Sequence, residues 1–226
     1  MRFDNYQTLL TETVDHLVHP SSLGLEDPKF KDILSTDITS TSFDEALLTV
    51  QSLMLYLLTY LFSKDPDTRA KAESHFGVLS EKAEHLEHVA SDRVLRGLSP
   101  WQAWLQGEST RRTILTSYVL ICAHTSWRHG YCMHRLDFEA FPFDGRPGLW
   151  MAESAQAWIA AAGETHGEMV RPRLVSFHEY GGENPRMSWD PDGDIFLDMM
   201  VVAHKGKLTR LPNGELGWGH EDGNVS

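Results

Sequence analysis

The chain has little cysteine, no long apolar run and no surplus of positive charge, and each shortage removes a class of protein. Only Cys122 and Cys132 occur among 226 residues, and no zinc-finger spacing is present. The two lie ten positions apart in a segment that reads as helix, where that separation spans about 15 Å. A disulfide needs Cα atoms roughly 4.4–6.8 Å apart, so pairing requires a break between them, for which Gly130 is the place. Reduced thiols in a reducing compartment are the expectation. Lys and Arg number 20 against 32 Asp and Glu, a formal charge of −12. Such a surface repels a phosphate backbone and excludes nucleic acid as a direct partner.

The most apolar stretch, 46–62, carries Thr49, Gln51, Ser52 and Thr59. It falls short of the roughly 20 apolar residues that span a bilayer, so it reads as a buried core helix, with no membrane partner. The opening MRFDNYQTLLTETVDHL carries acids early and has no apolar run of signal-peptide type. An intracellular, cytoplasmic protein is expected. No Gly-x-Ser-x-Gly, phosphate loop or dinucleotide fingerprint is present, and no cofactor is expected. The twelve histidines invite a metal reading, but Cys122 and His129 share a helix face from which His124 turns away. His85 and His88 have no third ligand near them in sequence, and no metal is expected. The run Asp190, Asp192, Asp194 departs from a calcium loop, with Ile195 where glycine is required, and reads as a capped turn.

Hydrophobic residues at 41% and charged residues at 23% describe an ordinary globular chain. Helical spacing of apolar residues falls over 4–18. Ser42 with Glu45 three residues on is a capping-box start for a helix over 42–62. Asp65-Pro66 opens a third helix, to about 90, with Ala72, Phe76, Leu79, Ala83 and Leu86 along one stripe. Ser99-Pro100, with Gln102, opens the longest, through Arg111, Arg112 and Tyr118 to about 129, where Gly130 stops it. A short helix is expected over 153–162 and a final one over 194–205. The segment 174–180 fits helix or strand. The fold class is therefore all-α: one helical domain over 1–205, then a flexible Gly-rich tail over 206–226.

Within the longest helix, Glu108 and Arg112 sit one turn apart and can pair. His124, Trp127 and Tyr131 fall on one stripe. This is either an aromatic core seam or the wall of an apolar pocket with a polar tip. Asp144 and Arg146 lie in a loop flanked by Phe141, Phe143 and Trp150. They form either a loop ion pair or a lid facing a substrate carbonyl or proton.

Three segments together carry a resemblance. The run LLTVQSLMLYLLTYLF followed by DPDTRAKAESHFGVLSEKAEHL resembles the paired helices of the fungal-specific transcription factor regulatory (middle homology) domain. SPWQAWLQGESTRRTILTSYVL is similar to that family's Trp-x-x-Trp and acid-Ser-x-Arg-Arg signature, here Trp101, Trp104, Glu108, Ser109, Arg111 and Arg112. FPFDGRPGLWMAESAQAWIAA resembles its aromatic-Pro loop and the helix after it, with Leu149, Trp150 and Trp158. The resemblance spans about 42–205. It implies an irregular all-α assembly in which Glu108, Arg111 and Arg112 form a structural ion pair. The family's zinc-cluster DNA-binding module has no counterpart here.

Two functions follow as expectations. The first is a cofactor-free cyclase or isomerase, of pericyclase (Diels-Alder) type, acting on an apolar intermediate of fungal secondary metabolism. Its catalytic residues would be His124, Tyr131, Asp144 and Arg146, and Tyr118, Trp127 and Trp150 would bind substrate. The second is a non-catalytic ligand-sensing or protein-interaction domain, nuclear in location. A homodimer through the second and third helices is a further expectation.

Overall fold

In this computed structural model the structure describes residues 27–91, 97–130, 135–163, 170–183 and 193–205, and the backbone of strands at 207–210 and 216–219. The chain divides into two compact units, Met1–Val94 and Leu95–Ser226. The 1–205 domain of the sequence reading is spread over both. The helix expected over 4–18 lies outside the described residues, as do Tyr131, Asp190 and Asp192.

The first unit is built from local start signals. Asp27 caps α1 (Pro28–Ser35), its Oδ1 accepting from the Lys29 amide at 2.9 Å. The capping box of α2 (Phe43–Leu61) is formed, with the Ser42 amide donating to Glu45 Oε2 at 2.9 Å. Asp65 caps α3 (Pro66–Ser74) through the Thr68 amide at 3.0 Å. The helix read continuously to about 90 breaks at His75, whose amide reaches back only three residues to Ala72 at 3.0 Å. This tightened turn precedes Gly77, a weak helix former, and α4 (Phe76–Ser91) begins there.

α2 packs against α1, α3 and α4 and buries Val50, Leu53, Tyr56 and Leu57 completely. Phe30 of α1 sits in an aromatic nest, its ring 5.4 Å from Tyr56, 5.2 Å from Tyr60 and 5.5 Å from His75. The Tyr56 hydroxyl donates to buried Asp27 at 3.3 Å. Burial first, then the Asp27 charge, pushes Tyr60 up to about 12 and Tyr56 higher still.

The second unit is organised around α5 (Pro100–His129), which opens on a Ser99–Gln102 capping box. It ends at Gly130 with φ of 79°, the left-handed conformation that glycine reaches without strain. Then follow α6 (Arg135–Ala140), β1 (Pro142–Asp144), α7 (Ala155–Ala161), β2 (Leu174–Ser176), α8 (Phe177–Glu183) and α9 (Ile195–Lys205). The architecture is mostly helical, as the sequence reading has it. The addition is an antiparallel ladder pairing Pro142 with Ser176 and Asp144 with Leu174. Strands of three residues are too short to leave a period-two pattern. The segment 174–180 is both things it was read as, strand and then helix. Within 206–226, read as a flexible tail, β3 (Lys207–Arg210) pairs antiparallel with β4 (Leu216–Gly219).

The expectation of reduced thiols is corrected for Cys122, which is disulfide-bonded. Among the described residues, no helix is long and apolar enough to cross a membrane.

Candidate functional site

The N-terminal half of α5 presents Trp101, Trp104, Glu108 and Arg112 on one face, at helical spacing. Glu108 is fully buried. Its two oxygens accept from Arg111 Nε at 3.0 Å and Arg112 Nε at 3.1 Å. Both oxygens also lie 3.2 Å from the backbone amide of Asp144 in β1. Arg112 then reaches Asp194, giving Nη1 and Nη2 to its two oxygens at 2.8 and 2.7 Å. Its guanidinium is held between two rings, 4.3 Å from the centre of Trp150 and 4.5 Å from that of Phe196. Asp194 also accepts from the Phe196 amide at 3.1 Å and so caps α9. The capped turn read there is formed at this residue, and the cap is tied to α5.

Asp144 is fully buried and held from two sides. Trp104 Nε1 donates to Oδ2 at 3.1 Å. Arg146 clamps both oxygens through Nε and Nη2, the first at 2.8 Å, and Arg146 Nη2 also reaches the Arg171 carbonyl at 3.2 Å. Burial alone would raise the Asp144 carboxyl, but hydrogen bonds from Arg146 and Trp104 and the Arg146 charge outweigh it. The group sits below the usual carboxylate range. The next residue, Gly145, allows a close approach. A Cβ there would stand 2.9 Å from both Tyr180 and Val175. Tyr180 in turn meets Phe143 at 5.2 Å.

The network thus matches three carboxylates, Glu108, Asp144 and Asp194, with three guanidinium groups, Arg111, Arg112 and Arg146. Beside it lies a tryptophan cluster. Trp104 packs on Trp158 of α7 at 5.8 Å and on Trp150 at 6.4 Å. Leu149 and Val170 complete the buried part, and Trp101 and Ile159 pack against it half-buried. Trp104 has an acceptor in Asp144. The indole nitrogens of Trp101 and Trp158 are enclosed and have none among the described residues, although Trp158 is only 3% exposed. A buried donor left without an acceptor costs about 1–3 kcal/mol, and such atoms are uncommon in folded proteins.

The residues read as catalytic are not gathered in one place. Asp144 and Arg146 lie beside Glu108. His124 is sixteen positions further along the same helix, about 24 Å of axial rise. His124 is half-buried and packs edge-on to Trp127 at 5.9 Å, while Trp127 is 54% exposed. Tyr118 is buried in the core, and Trp150 stacks on Arg112. The three residues read as one substrate surface therefore serve three surroundings.

Sequence reasoning missed Asp194 and Phe196 as members of the site, and it gave Trp101 and Trp158 no binding role. The spacing of Trp101, Trp104, Glu108 and Arg112 was a readable signal. The link to Asp194, 82 residues away, had no local sign beyond an aspartate before an apolar run. Among the described residues, no three His, Cys, Asp or Glu gather as metal ligands.

A scan against protein-family models, a search of curated proteins and a search of solved structures each return no match for this chain.

Proposed function

We propose that this chain is a regulatory-type helical module, of the fungal transcription factor kind, that binds a small apolar molecule without transforming it. The carrying observation is that the charged groups beside the tryptophan cluster already answer one another. Asp144 is clamped by Arg146 and Trp104 and held below the ordinary carboxylate range, the wrong direction for a general base working near neutral pH. Arg112 is fixed by two carboxylates and two rings, so its role is to hold α5, α9 and Trp150 together. What remains for a ligand is aromatic surface and indole donors, which suits recognition of an apolar body with a polar handle. The absence of a basic surplus supports a module that reads a small molecule rather than DNA.

One observation favours the second reading, a cofactor-free cyclase or isomerase. His124 and Trp127 form a polar tip beside an accessible aromatic face, which fits a donor working on an apolar substrate. The two readings separate in one experiment. Purified protein is incubated with the organic extract of a strain lacking this gene, and both the solution and the protein-bound fraction are followed by mass spectrometry. Retention of an unaltered compound supports the binding module. Consumption of a compound, abolished by His124→Ala, supports the enzyme. Neither retention nor consumption would sink both.

A further inference from the structure

We infer that the Trp101–Trp158 side of the tryptophan cluster is a binding site for a small, neutral, apolar molecule carrying a carbonyl-type acceptor. This deepens the binding reading above and rests on it. Trp101, Trp104, Trp150 and Trp158 meet in one cluster, and the Trp104 indole donates to the Asp144 carboxylate. Trp101 and Trp158 keep theirs enclosed, with no acceptor among the described residues. Trp101 stands one helical turn before Trp104 on the same face, and Trp158 packs directly on the Trp104 ring at 5.8 Å. Two unanswered donors of one kind in one cluster define a requirement for oxygen. The surrounding Leu149, Ile159 and Val170 define an apolar body around it.

Charge decides between a neutral acceptor and an anion. The adjoining network is balanced, three carboxylates against three guanidinium groups, and each guanidinium faces a carboxylate. A carboxylate ligand would enter as an uncompensated buried charge, whereas a ketone, ester or amide oxygen satisfies an indole N–H without one. Trp101, half-buried, is the accessible member, and Trp158 is the enclosed one.

The test uses two probes of matched shape, 2-acetylnaphthalene and 2-ethylnaphthalene, with the full chain labelled with ¹⁵N. Trp101→Phe and Trp158→Phe assign the two indole N–H signals and keep an aromatic ring at each site. The ketone is expected to move both indole signals downfield and the hydrocarbon to leave them in place. Binding of the ketone should weaken about tenfold in Trp158→Phe, the effect of one lost neutral hydrogen bond, with binding of the hydrocarbon unchanged. Equal affinity for the two probes, with stationary indole signals, would overturn the acceptor site and leave the apolar-binding reading standing. Indole signals that exchange with a tightly held water and ignore the ketone would also overturn it. Failure of both probes to bind would overturn it too, and the extract experiment then decides separately whether the chain retains any ligand. The signals of the unsubstituted protein carry the test even if Trp158→Phe fails to fold.

Discussion

The two units keep polar atoms in their interiors by different chemistry. Among the described residues of Met1–Val94, the buried charged groups are Asp27 and Lys82. Asp27 takes a tyrosine hydroxyl, and Lys82 gives its ammonium to the Thr36 carbonyl at 2.5 Å. The packing there is ring on ring, with leucines buried around it. In Leu95–Ser226, carboxylates and guanidinium groups interlock across α5, β1 and α9. A buried ion network adds little net stability over an apolar core, yet it is expensive to break, because a removed partner strands the other. The difference teaches that the first unit is held by burial and the second by burial plus a set of orientations that admits few alternatives.

The largest break in that contrast should come from Arg112→Leu. It leaves Asp194 without its cation, takes from Glu108 one of its two guanidinium partners and removes the cation between Trp150 and Phe196. A loss of about 3–5 kcal/mol is expected by urea denaturation, and a loss under 1 kcal/mol would refute the network as a holding device. Arg112→Lys keeps the charge but not the fork and should recover only part of it. In the first unit, Leu53→Ala should cost about 2–5 kcal/mol, through cavity formation rather than electrostatics. The comparison sharpens with salt: the Leu53→Ala loss should be unaffected by 1 M NaCl.

The pH limbs should also divide between the units. The folded-state pKa of Asp144 is depressed, so its contribution is full above the ordinary Asp value near 4 and disappears as pH falls through the folded value. Asp144→Asn should flatten the acid limb of stability, measured by thermal melts below about pH 5. The folded-state pKa of Tyr60 is raised to about 12. Its contribution is therefore full below about 10, the unfolded value, and disappears as pH climbs through 12. Tyr60→Phe should flatten the alkaline limb and leave the acid limb alone. The smallest effects belong to the caps. Ser42→Ala and Ser99→Ala should each cost about 1 kcal/mol. Near-equal losses are expected, since the units open their long helices alike.

Much of the helical skeleton was legible because the signals are local. Ser42 with Glu45, Asp65 with Pro66, Ser99 with Gln102, and Gly130 each act within one turn of backbone, so their neighbours in sequence are their partners in space. The pairing of Glu108 with Arg112 was legible for the same reason. The break at His75 was not, because the apolar stripe runs through it without interruption. The β1–β2 ladder was not, because three residues carry no pattern. The candidate site was less legible, because its members come from distant parts of the chain. His124 and Asp144 were both read as catalytic, but a continuous helix sets His124 a fixed rise away from Glu108, and Glu108 holds the Asp144 amide.

By itself, then, the sequence determined where helices begin and end, which faces are apolar, and that the surface is acidic. These are consequences of side chains acting on their own backbone or on solvent. The tertiary structure alone decided that Arg112 meets Asp194 across 82 residues and that Trp104 meets Asp144 across 40. It decided too that the Trp101 and Trp158 donors are enclosed with no acceptor among the described residues. A hydrogen bond needs its partner within about 3 Å, and only the folded path of the chain sets which distant residue arrives there.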